Sequence, residues 1–151
     1  MSFDGNGYVP EQVQTGARRL PDQWTIRLLY PRPPFGLSAN DRPHHMVKSR
    51  AIKAMREEVM FKVRQARVPA LERCRVDLVW YVADHRTRDE DNLAPMAKAI
   101  YDGIGSNKGI SARIVDDDSP EFMEKTAPVI EYMAGGEPHF AVIITDLGSA
   151  L

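Results

Sequence analysis

The stretch RVDLVWYVADHRTRDEDNLAPMAKAI, residues 75–100, decides the fold. Its first eight residues, RVDLVWYV, are β-branched, aromatic and apolar between polar flanks, which is the composition of a strand on a half-buried sheet. ADHRTRDEDN then reads as a polar loop. From Asn92 the period changes. Leu93, Met96, Ala97 and Ile100 recur at helical spacing and form one apolar stripe. Asn92 suits the N-cap. Pro95 is tolerated in a first turn, whose N–H groups lack intrahelical partners anyway. Gly103 suits the C-terminus. The segment is a strand, an acidic loop and a helix.

Upstream, QWTIRLLY (23–30) is a β-prone run stopped by Pro31, Pro33 and Pro34, none of which can donate to a ladder. FGLSANDRPHH (35–45) is turn-rich and reads as a surface loop. Over 46–66, Ile52, Met55, Val59, Met60, Val63 and Ala66 share one face, and the basic residues largely avoid its centre. That predicts an amphipathic helix with a basic solvent side, ended before Pro69. Downstream, GSNKGISAR (105–113) is a loop, and Ile114 and Val115 lead into Asp116-Asp117-Asp118-Ser119-Pro120. Residues 121–133 read as one strand, Gly135-Gly136 as a turn and 139–147 as a last strand. The expected order is β-α-β-α-β-β: an α+β single domain, a small mixed sheet packed with two main helices. Residues 1–22 lack a period and read as a flexible N-terminal arm, with the folded domain over 23–151.

The chain has 151 residues, which suits one core. Hydrophobic residues make up 43% and charged residues 27%, which excludes a wholly disordered chain. No apolar run is long enough for a transmembrane helix. The polar N-terminus lacks the apolar core of a secretory signal. With Cys74 as the single cysteine, neither an intrachain disulfide nor a cysteine-based zinc site is possible, so a reducing cytoplasm is the expected compartment. The net charge of −1 hides an asymmetry: residues 1–88 carry +7 and residues 89–151 carry −8. The two halves either attract each other within the fold, or present a basic surface to a polyanion beside an acidic metal pocket.

Two acidic motifs carry the candidate chemistry. In a locally extended RDEDN, Asp89 and Asp91 point the same way and Glu90 points elsewhere. If that loop meets the Asp116–Asp118 run at one sheet edge, three or four carboxylates share a pocket. Mg²⁺ takes hard oxygen ligands, usually one or two carboxylates plus water and substrate phosphate. It can activate water and neutralise phosphoryl charge. A lysine nearby, with Lys98 the candidate, would stabilise the charge that develops. Each motif also has a plain reading. DxD on a loop makes an N-cap with solvated charge, and DDDSP makes a turn. DxD also occurs in sugar-nucleotide transferases.

Together these features resemble the RusA-like family of Holliday-junction resolvases. The likeness rests on LLYPRPPFGLSANDR after the first strand, RDEDNL after the next, the helix ending AKAIYDGI, and VDDDSPEFM before the final strand. It spans roughly residues 23–147. It implies Asp89, Asp91 and Asp118 as metal-binding catalytic carboxylates, with Asp117 the second choice for the third position. It implies Lys98 beside the scissile phosphate, displaced by a small insertion around 94–96 and otherwise a surface lysine paired with Asp102. It further implies Mg²⁺, with Mn²⁺ as a substitute, and a homodimer that makes paired symmetric nicks in four-way junction DNA. Such an enzyme would act in the cytoplasm of a bacterial or phage-infected cell. Arg42, Lys48, Arg50, Lys53 and Arg56 are candidate phosphate contacts or a solvated helix face. Arg88 reaches phosphate or pairs with Glu90.

Two other functions fit parts of the pattern: a non-catalytic junction-binding protein, and a divalent-metal sugar-nucleotide transferase. His44 and His45 cap the basic helix, lie in solvent or touch phosphate. His85 is a metal ligand, a proton carrier or neither. Phe35 either wedges into a junction or packs on the domain.

Overall fold

The computed structural model describes residues 20–148. The expectation for the arm therefore falls mostly outside the described residues. Five strands, two helices and one 3₁₀ turn follow in order: β1 (Gln23–Leu28), α1 (His45–Gln65), β2 (Cys74–Val82), the turn Glu90–Leu93, α2 (Ala94–Gly105), β3 (Met123–Lys125), β4 (Val129–Tyr132) and β5 (His139–Asp146). This is the expected α+β domain with a mixed sheet and two helices, except that one predicted strand is two.

The central pair is β5 and β2, antiparallel over eight residue pairs from Cys74↔Asp146 to Tyr81↔His139. β1 lies antiparallel on the far side of β5. The free side of β2 takes β3 along its first half and β4 along its second, both parallel. Val76 pairs with Lys125 and Val79 with Val129, so the outer strand holds one residue more than β2 between those points. The surplus falls at Thr126-Ala127-Pro128, where Pro128 has no N–H to give and the Thr126 hydroxyl bonds Asp77 Oδ1. That is why residues 121–133 form two short strands.

Both helices cover one face of the sheet. Val76, Leu78 and Trp80 of β2 meet Phe140, Val142 and Ile144 of β5, with Ile26 and Leu28 of β1 beside them, all buried. α1 buries Met55, Val59 and Val63, one turn apart, and its remaining residues keep more contact with solvent. His44 Nδ1 accepts from the Met46 N–H at 3.2 Å and caps it. Lys62 donates to the Arg27 carbonyl at 2.8 Å, and Tyr30 bonds Glu58, so α1 is tied to β1 by polar contacts as well.

α2 is buried on most of its surface and packs against α1. Its fully buried Met96, Ile100 and Ile104 each contribute about 1.5–3 kcal/mol. The helix runs two residues past the expected stop at Gly103. A methyl group at Gly103 would lie 3.0 Å from the Arg56 carbonyl oxygen and 3.2 Å from Val59 Cβ. This glycine is where two helices touch, not where one ends. The expected N-cap is corrected too. Asp89 caps the 3₁₀ turn, and that turn feeds α2 directly, so Asn92 lies inside it. No described helix is long and apolar enough to cross a membrane.

Candidate functional site

The two sequence motifs nearest the strand ends meet in space. The Ala39 N–H donates to the Asn92 carbonyl at 3.0 Å, joining the loop between β1 and α1 to the acidic turn. Within the first loop Leu37 is buried, and the Asp41 carboxylate accepts from the Gly36 N–H at 2.8 Å and the Ser38 N–H at 3.3 Å. Phe35 is 60% exposed, so it does not pack on the domain. Between these loops and β4 lies a cleft of about 1380 Å³, lined by Pro31–Pro33, Ser38, Asn40, residues 84–93, Ile130, Tyr132 and Pro138, with Trp80 and Val82 at its floor.

Five acidic side chains line the cleft: Asp41, Asp84, Asp89, Glu90 and Asp91. Their partners separate them. Asp41 holds its own loop. Asp84 accepts from the Arg86 N–H at 3.0 Å and pairs with Arg88 at 2.8 Å, and these two contacts hold its carboxyl below the usual carboxylate range. Glu90 turns to β4, accepting from the Ile130 N–H at 3.0 Å. Asp89 gives one oxygen, Oδ1, to the Asp91 N–H at 2.9 Å. The Asp91 carboxylate has no hydrogen-bond or ion-pair partner among the described residues. One oxygen each of Asp41, Asp89 and Glu90 and both oxygens of Asp91 are therefore without a partner among the described residues, and the cap ties the Asp89 side chain to the Asp91 backbone.

The structure does not gather the second acidic run with this pair. Asp117 Oδ1 accepts from the Asn107 N–H at 3.3 Å, and Asp118 pairs with Lys125 at 3.3 Å. Neither lines the cleft. Burial pushes the Asp118 carboxyl up, but a hydrogen bond with the Asp102 carboxyl group and the Lys125 ammonium outweigh it, and the net direction is down. Lys98 is also outside the cleft. Its ammonium bonds Asp102 at 3.2 Å with the side chain 77% exposed. Among the described residues, no three His, Cys, Asp or Glu side chains stand together as a metal-binding group. Of the residues singled out from the sequence, Asp89 and Asp91 remain in the cleft, and two carboxylates suit Mg²⁺, which takes one or two and leaves its other positions to water and phosphate.

The candidate phosphate contacts divide in the same way. Lys48, Arg50 and Lys53 are exposed on the N-terminal half of α1, and Lys48 and Ala51 abut Gly36 of the cleft loop. Arg42 is exposed and donates to the Ala39 and Asp41 carbonyls. Arg56 is engaged inside the protein, donating to the Ile110 and Lys108 carbonyls beside Asp102. Arg88 is engaged as well: it pairs with Asp84 rather than Glu90, donates to the Asp84 and Arg86 carbonyls, and lies 5.3 Å from the Trp80 ring centroid.

Three cleft residues were not singled out from the sequence for binding: Arg32, Arg86 and Tyr132. Arg86 stands two residues before Arg88 in the same polar loop, and Arg32 lies between two prolines, so both had local signals. Tyr132 had none, because only the pairing of β4 with β2 brings it there. No protein-family model matches the chain, and no curated protein matches it.

Proposed function

We propose that this protein is a metal-dependent, structure-selective endodeoxyribonuclease that nicks four-way DNA junctions. The observation that supports it is the pair Asp89 and Asp91: two neighbouring carboxylates with open oxygens, lining one cleft of about 1380 Å³ with Arg32 and Arg86. Asp89 and Asp91 would hold Mg²⁺ or Mn²⁺, and a cation bound there lowers the pKa of water and neutralises phosphoryl charge. The protein's own groups bind and orient. The exposed cations of α1 and Arg42 attract the phosphate backbone, while Arg32 and Arg86 lie in the cleft itself. Hydrolysis adds water at phosphorus, breaks the P–O3′ bond and leaves a 3′-hydroxyl and a 5′-phosphate, ends a ligase can seal.

Paired nicks in a symmetric junction need two sites related by a two-fold axis, so a homodimer is part of the proposal. Cytoplasmic action in a bacterial or phage-infected cell is part of it as well. Asp118 and Lys98 are left outside the cation site in this reading.

Charge-neutral Asp89→Asn and Asp91→Asn variants test it. They should lose cleavage and keep junction binding. Binding without cleavage by the wild type, with Mg²⁺ or Mn²⁺ present, would instead establish a non-catalytic junction binder. Saturable binding of a nucleotide sugar with no salt-sensitive DNA affinity would establish a transferase.

A further inference from the structure

We infer that the His85 and Tyr132 rings form a platform for a nucleobase, so that the cleft takes a strand carrying an unstacked base near the phosphate that is cut. The inference rests on the nuclease reading above and names a feature of its substrate.

The two rings stack with centroids 3.9 Å apart and planes 25° apart. His85 stands in the loop after β2, and Tyr132 is the last residue of β4. Both line the cleft that holds Asp89 and Asp91. Tyr132 is 49% exposed, so the stack is not part of the core, whose aromatic contact is Trp80 on Phe140. Aromatic rings held half in water, ordered against each other and beside apolar Val82, Ile130 and Pro138, make a surface that a flat apolar face would cover.

The platform is fixed relative to the carboxylates. Tyr132 pairs with Val82 in the sheet, and the next residue, Met133, donates its N–H to the Val82 carbonyl at 2.8 Å. Two residues before Tyr132, the Ile130 N–H bonds Glu90, which lies between Asp89 and Asp91. Base-binding rings and phosphate-facing carboxylates thus sit on one rigid unit. Every nucleobase offers a π-face, so stacking is sequence-tolerant. A linear duplex keeps its bases paired and stacked inside the helix. A nucleotide at a branch point can splay out and reach the rings. The platform would therefore favour branched DNA over duplex without reading sequence.

The test is a binding cycle run with chelator present, so that no strand is cut. A labelled four-way junction is compared with junctions that each lack one base at a nucleotide flanking the branch point. Wild type, Tyr132→Phe, Tyr132→Leu and His85→Ala are titrated against each. Stacking on one aromatic side chain predicts that one abasic position weakens wild type and Tyr132→Phe about tenfold, and adds nothing to the weaker binding of Tyr132→Leu. His85→Ala, which removes the ring that orders Tyr132, should show a reduced penalty at the same position. An abasic penalty equal in wild type and Tyr132→Leu, or no penalty at any position, would overturn the platform alone. Wild type that shows no preference for junction over duplex would overturn the platform and the nuclease reading together.

Discussion

The Glu90 carboxylate accepts a hydrogen bond from the Ile130 N–H at 3.0 Å, and this contact ties the acidic turn to the edge of the sheet. One oxygen of Glu90, Oε2, is thereby engaged with β4, although Glu90 lines the cleft beside Asp89 and Asp91. Glu90→Ala should cost about 1 kcal/mol of unfolding free energy and loosen the site. Glu90→Gln keeps an acceptor and should recover most of the loss in denaturant titrations.

Asp89 has an observed role as a cap and a proposed one as a cation ligand, and substitution separates them. Asn caps as well as Asp, so Asp89→Asn should unfold with the wild-type midpoint, whereas Asp89→Ala loses the cap and about 1 kcal/mol. A cation bound only to the native state raises the melting temperature. Millimolar Mg²⁺ should therefore stabilise wild type and leave Asp89→Asn and Asp91→Asn unmoved. An equal shift in all three would place the cation elsewhere.

Gly103→Ala offers a direct test of the helix contact. In a free helix, alanine gains about 1 kcal/mol over glycine. Here the added methyl meets the Arg56 carbonyl oxygen at 3.0 Å, an atom fixed in α1, so the change should destabilise by about 1–3 kcal/mol. Thermal unfolding decides the sign.

Asp118 links stability to acid. Its carboxyl is held below the ordinary value by Asp102 and Lys125 against the opposing effect of burial. A carboxyl depressed in the folded state contributes stability above its unfolded pKa of about 3.9 and loses it as pH falls through the folded value. Asp118→Asn should lower stability at neutral pH and flatten the fall below pH 4. An unchanged acid limb would show that the ion pair contributes nothing.

The cations should fall into two classes. Each of Lys48, Arg50 and Lys53, truncated to Ala, should reduce the slope of log K against log salt by about 1 and leave stability within about 0.5 kcal/mol. Arg56→Ala should do the reverse, costing about 1–3 kcal/mol because it strands the Ile110 and Lys108 carbonyls, with the salt slope unchanged.

The elements with local periodicity were legible in the sequence. α1 and β2 followed from the spacing of Met55, Val59 and Val63 and from the apolar run at 75–82, because one face of each is buried. What failed needed partners far along the chain. Gly103 has the composition of a helix end, and only its contact with Arg56 and Val59 shows otherwise. The break at Thr126–Pro128 depends on its pairing against Val76 to Val79. In the site, the extended RDEDN read from the sequence is instead a 3₁₀ turn over Glu90–Leu93, because Asp89 caps it, so the alternation expected to set Glu90 apart from Asp89 and Asp91 does not hold. The convergence of Asp118 on that pair was a guess about topology, and Lys125, seven residues on, engages Asp118 instead. Tyr132 came into view only with the sheet order.

Nicking of a labelled four-way junction, beside a linear duplex of matched sequence, tests the central claim most directly. It is run with Mg²⁺ and with chelator, on wild type and Asp91→Asn. The open Asp91 carboxylate predicts paired cuts in the junction only, present with Mg²⁺, absent with chelator and lost in the variant. Cuts that persist with chelator or in Asp91→Asn, or none by wild type with either Mg²⁺ or Mn²⁺, would contradict it.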